Sequence, residues 1–67
     1  MTHMCVTFTA EGAFLRGNTP TVIANACATR PLGSAVADVT AEQLHHAALA
    51  QIGDIYGVVV PSVAELR

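Results

Sequence analysis

From Met4 to Thr9 apolar and polar side chains alternate. Met4, Val6 and Phe8 fall on one side and Cys5, Thr7 and Thr9 on the other, the period of a half-buried strand. Glu11-Gly12 breaks the pattern, and Ala13 to Arg16 reads as a second short strand. Gly17-Asn18-Thr19-Pro20 is a turn that returns the chain, so the first elements predict an antiparallel hairpin. Thr21 to Thr29, led by the β-branched residues Thr21, Val22 and Ile23, predicts a third strand. Arg30-Pro31-Leu32-Gly33-Ser34 closes this part, because proline restricts Arg30 and glycine permits a turn before helix formers take over.

The clearest element is a helix from about Ala41 to Tyr56. Thr40 and Gln43 form a capping box at its start, each side chain meeting an orphan backbone N–H, and Gly57 closes it. Leu44, Ala48, Leu49, Ile52, Ile55 and Tyr56 share one apolar face, with Glu42, Gln43, His46 and Asp54 largely opposite. Val58-Val59-Val60 is a short extended stretch, and Ser62 with Glu65 offers a second capping box at a terminal helical turn. These elements predict a single small α+β domain over residues 1–67. Residues 1–33 would be mainly β, a hairpin or three-stranded antiparallel sheet, and 34–67 mainly α, one long amphipathic helix and a short C-terminal turn.

Composition adds a partner to this picture. Hydrophobic residues make up 52% of the chain and charged ones only 12%, about half the usual charged fraction of roughly 25%. A domain this small has a thin core, and exposed apolar area on so small a body marks an interface. A homo-oligomer or a small subunit of a larger assembly is the expectation, with the interface on Val22, Ile23, Leu44, Leu49, Ile52, Ile55, Tyr56 and Val63. Three arginines, no lysine and a net charge of -2 disfavour nucleic acid as a partner. No stretch approaches the roughly 20 apolar residues of a spanning helix, so the reading is cytoplasmic, or virion-associated for a phage component.

Chemistry is sparse. Cys5, Cys27 and Ser34 are the candidate nucleophiles, and none has motif neighbours that would supply an oriented base. Cys5 and Cys27 read as free thiols. His45 and His46 are adjacent, about 100° apart on a helix, which is not the spacing of a helical zinc pair. Glu42 and His46 have that spacing, and His3, Cys5 and Cys27 would have to complete a metal or redox site. No residues imply a cofactor.

Gln51 to Leu66 resembles the helix-turn-helix signature of transposase-like and phage-type regulators, through Gly53, Gly57, Val58 and Val63 in order. The resemblance implies two closely packed helices with the second in the major groove. Here that second helix would present Pro61, Ser62, Ala64 and Glu65, with Arg67 alone basic. The string Tyr56-Gly57-Val58-Val59-Val60-Pro61 also resembles the end of an acyl-carrier domain, but the serine that carries that family's prosthetic group is missing, Ala41-Glu42 standing in its neighbourhood. The reading is therefore a non-catalytic interaction protein, with a DNA-binding regulator and a small metal or redox protein as alternatives.

Overall fold

A computed structural model describes residues 1–66 and shows helices and short strands combined, as the sequence pattern implied, in a different arrangement from the one expected. A π-helical turn, Thr2–Val6, runs directly into helix α1, Thr7–Leu15. Strand β1, Thr21–Ile23, is followed by a 3-10 turn at Ala24–Ala26, and a hairpin pairs β2, Leu32–Gly33, with β3, Asp38–Val39. Helix α2, Ala41–Gln51, continues as a π-helical turn over Ile52–Tyr56 into β4, Val58–Val60, and a 3-10 turn covers Val63–Leu66. Arg67, the basic residue expected beside that last turn, lies outside the described residues.

The expected N-terminal hairpin is absent, and Met4 to Leu15 is helical instead. The reason lies in which residues the packing hides. Thr2, Thr7 and Ala10 are buried and His3, Val6 and Ala13 half-buried, a spacing of three and four that belongs to a helix. Two of the three apolar residues in the apparent alternation face outwards, Phe8 at 63% and Met4 at 36% exposure. The two buried threonines are tolerated because their hydroxyls are paired. Thr7 Oγ1 donates to the Thr2 carbonyl at 2.6 Å, and Thr2 Oγ1 bonds His45 Nδ1 at 2.8 Å. Gly17 does mark a turn, but the turn caps a helix. Gly17 adopts φ 86°, its N–H donates to Phe14 C=O at 3.0 Å, and Asn18 N–H donates to Ala13 C=O at 3.0 Å, the paired bonds of a Schellman C-cap.

The third strand is shorter than expected, Thr21–Ile23 alone, and it pairs in parallel with β4 through Thr21↔Val58, Val22↔Val59 and Ile23↔Val60. Parallel neighbours need a crossover, and α2 supplies it. The core, Ala10, Val22, Leu49 and Ile52, lies where both helices meet this two-stranded sheet, with Val6, Ala24, Cys27, Tyr56 and Val59 packed around it.

Helix α2 starts where its residues predict, and with its π-helical continuation the helical segment ends at Tyr56, as expected. Thr40 Oγ1 accepts from Gln43 N–H at 3.1 Å, and Thr40 N–H donates to Gln43 Oε1 at 3.0 Å. Thr40→Ala should therefore lower stability by about 1 kcal/mol, read as a lower urea midpoint at unchanged slope. An unchanged midpoint would show that the cap contributes nothing. Among the described residues no helix is long and apolar enough to cross a membrane.

Candidate functional site

The hydrogen bonds at one end of the sheet define the site. The chain leaves β1 through the Ala24–Ala26 turn, and Ala28 C=O then accepts the Thr2 N–H at 3.0 Å. The start of the first helix is thereby tied to the carboxyl end of β1. His3 Nδ1 adds a 2.6 Å bond to Thr29 Oγ1 at the same place, and the Thr2–His45 bond brings in the early turns of α2. β4 ends here too, since Pro61 C=O accepts Asn25 N–H at 3.2 Å. Both helices begin at the carboxyl ends of the parallel strands, the side on which α/β proteins bind ligands and where helix amino termini favour negative charge.

The structure separates the three candidate nucleophiles. Ser34 sits in the exposed β2–β3 hairpin, where its hydroxyl donates to Ala37 C=O at 3.0 Å and accepts the N–H groups of Val36 and Ala37. Cys27 is half-buried and its thiol donates to Ile23 C=O at 3.4 Å. Cys5 is exposed, in the opening turns of the first helix, with a free thiol. Both thiols line an open, mainly apolar groove of about 480 Å³ between α1 and β1. Apart from the two thiols, that lining contains no titratable side chain.

Two of the three histidines are held by hydrogen bonds. His45 bonds Thr2, His3 bonds Thr29, and His46 is exposed with its ring 5.8 Å from that of His45. The expected metal or redox set of His3, Cys5, Cys27 and His46 does not converge: among the described residues no three His, Cys, Asp or Glu side chains are placed to hold an ion. At the opposite end of the sheet, Tyr56 donates to Glu11 Oε2 at 2.9 Å and stacks at a tilt on Phe14. The bond to the Glu11 carboxylate raises the phenol above its ordinary pKa, with partial desolvation and the carboxylate charge acting in the same direction.

Of the residues expected at a partner interface, Val22, Leu49 and Ile52 are buried in the chain's own core. Ile23, Leu44 and Tyr56 are half-buried, and Ile55 and Val63 are exposed at 54% and 52%. Sequence reasoning had Cys5 as a candidate but no means of ranking it. The signal that ranks it is the tie from Thr2 to Ala28, which no local pattern shows.

No family model matches the sequence. An uncharacterized isochorismatase family protein of Bacillus subtilis (strain 168), YddQ, is 34% identical to it over 67 residues, all of this chain and 37% of the relative. The crystal structure of a provisionally assigned isochorismatase hydrolase from Oleispira antarctica superposes with a TM-score of 0.91 at 35% identity, over 98% of this chain and 35% of that one. The chain is built like one third of an isochorismatase-type hydrolase.

That likeness overturns the expectation of a non-catalytic interaction or virion protein, and the DNA-binding and metal or redox alternatives fit no better. The helix-turn-helix resemblance fails on geometry as well. Val58, which should open a second helix, lies in β4 opposite Thr21, and Val63 begins a four-residue 3-10 turn. The acyl-carrier resemblance is overturned by the same likeness to isochorismatase-type proteins. Val58 to Val60 form strand β4 here.

Proposed function

We propose that this chain forms the thiol-bearing wall of a hydrolase site of the isochorismatase type, with Cys5 as its nucleophile. The observation that carries the reading is the position of Cys5. It is an exposed, unengaged thiol in the first turns of a helix whose start is bonded to the carboxyl end of a parallel strand. A thiolate there adds to the carbonyl carbon of an amide or ester, the adduct expels the amine or alcohol, which takes the proton the thiol gave up, and water then hydrolyses the thioester to release the acid and restore the thiol. The amino end of the helix favours the negative charge that develops on the attacked oxygen. The groove lining offers no base for the thiol proton, so the base and the rest of the substrate wall come from outside residues 1–67. The chain spans about a third of the length of the relatives it matches, which leaves room for both.

The test is a chimera in which this chain replaces the matching third of the Bacillus subtilis relative, assayed on isochorismate and on a panel of small amides and esters. Hydrolysis should fall by about a thousandfold or more in Cys5→Ala, the usual scale for losing a nucleophile, and stay within a few-fold in Cys27→Ala. Iodoacetamide should inactivate the chimera with label on Cys5, read by mass spectrometry. Full activity in Cys5→Ala would sink the assignment.

A further inference from the structure

Thr2, 0% exposed, is a polar residue that water does not reach, and it opens the turn that carries Cys5. Its three polar groups are bonded to three different segments. The N–H donates to Ala28 C=O beyond β1 at 3.0 Å, the C=O accepts the Thr7 hydroxyl of α1 at 2.6 Å, and Oγ1 bonds His45 Nδ1 of α2 at 2.8 Å. Within the turn, Met1 C=O accepts both Met4 N–H at 3.0 Å and Val6 N–H at 3.3 Å, so the backbone widens around Cys5. Single π-helical turns of this kind are rare and occur mostly at functional sites. Thr2 supplies the outside support that holds this one in place.

His45 is the distant part of that support, 43 residues along the chain. It stands on a fixed platform. The capping box of Thr40 and Gln43 sets the start of α2, and Ala48 and Leu49, three and four residues beyond His45 on the same helix face, are buried. The bond to Thr2 forms with either ring tautomer, the hydroxyl donating to a bare Nδ1 or accepting from Nδ1–H. Taking the ring nitrogen away removes a partner from a hydroxyl that cannot turn to water, which favours movement of Thr2. We propose that His45 is a positioning residue for the hydrolysis: through Thr2 it fixes the turn that presents Cys5, although its ring bonds Thr2 and not the thiol. A nucleophile displaced by about 1 Å loses on the order of a hundredfold in rate, so a bond of this kind is felt in turnover. The inference rests on the reading of Cys5 as nucleophile, and one of its readouts needs no catalysis.

The test uses the chimera with the Bacillus subtilis relative. His45→Phe keeps a ring without its nitrogen, and His45→Asn keeps a polar atom on Cγ where Nδ1 stands. In His45→Phe kcat should fall by roughly thirty- to a hundredfold while KM stays within about twofold. Amide exchange over residues 2–6 should quicken at least about tenfold, with residues 48–52 of the core exchanging as in the wild type, the mark of local and not global opening. His45→Asn should recover kcat to within about fivefold of the wild type, and Thr2→Val combined with His45→Phe should lose no more than His45→Phe alone, as for two residues acting as one unit. His46→Phe, at the exposed neighbouring position, should change neither readout. Wild-type kcat in His45→Phe, a loss accompanied by equally faster exchange in the core, or an asparagine variant no better than phenylalanine would each overturn the proposal. Activity surviving in Cys5→Ala, with exchange over residues 2–6 still set by His45, would uphold the hold on the turn and count against the Cys5 chemistry alone.

Discussion

Ile52→Glu should leave the chain unfolded at room temperature. Ile52 is the most buried apolar side chain described, 0% exposed, and it sits where the π-helical turn after α2 crosses Val22 of β1 and Ala10 of α1. Losing its burial costs about 2 to 3 kcal/mol, and the carboxylate that replaces it has no cation in the core, which adds several kcal/mol or forces the site open to water. A chain of this length has a total stability on the order of 3 to 10 kcal/mol, so the sum matches or exceeds it. Ile55→Glu is the matched control, three residues along the same helical segment but 54% exposed, and should shift stability by no more than about 0.5 kcal/mol. Far-UV circular dichroism with urea titration reads both. A cooperative transition for Ile52→Glu at the wild-type midpoint would mean that the core is not where the structure puts it.

Gly57→Ala is the second large effect, and its cause is steric. Gly57 has φ -175°, an extended backbone open to any residue, so torsion does not demand glycine. The close approach of the chain does. An added Cβ would lie 2.1 Å from the Pro20 carbonyl oxygen and 2.9 Å from Pro20 Cγ. That same oxygen accepts the Val58 N–H that begins the parallel pairing. Relief requires β4 to move away from β1, which gives up the bond and loosens the ladder, at about 2 to 4 kcal/mol. Gly12 provides the contrast, since nothing lies within 4 Å of an added Cβ there. Gly12→Ala, inside α1, should raise stability by about 0.5 to 1 kcal/mol. The urea midpoints of the two variants should therefore move in opposite directions, and a Gly57→Ala midpoint equal to wild type would show that the strand contact is not made.

The region from Thr40 to Gly57 was legible because its signals are local. A threonine and a glutamine three residues apart satisfy each other's backbone N–H at a helix start, and Gly57 is where the helical segment gives way to extended chain. Glu42, Gln43, His46 and Asp54 face solvent as the helical period requires. The first fifteen residues were misread because two periods coincide there. Met4, Val6 and Phe8 satisfy a period of two, while the helix runs on Thr2, Val6 and Ala10, and threonines count as polar until their hydroxyls are seen to be paired.

Residues alone thus determined one long capped helix, the turn at Gly17, the extended valines and the small set of nucleophiles that chemistry would have to use. Tertiary structure decided that α1 is a helix, that β1 runs parallel to β4, and that Cys5 rather than Cys27 or Ser34 stands free at the carboxyl end of the sheet. The division has a physical cause. Caps and turns are satisfied by atoms a few residues apart, whereas a parallel strand pair and the tie from Thr2 to Ala28 join segments separated by whole elements. Which distant segments meet is settled only when the helices close over Val22 and Ile52 and exclude water from them.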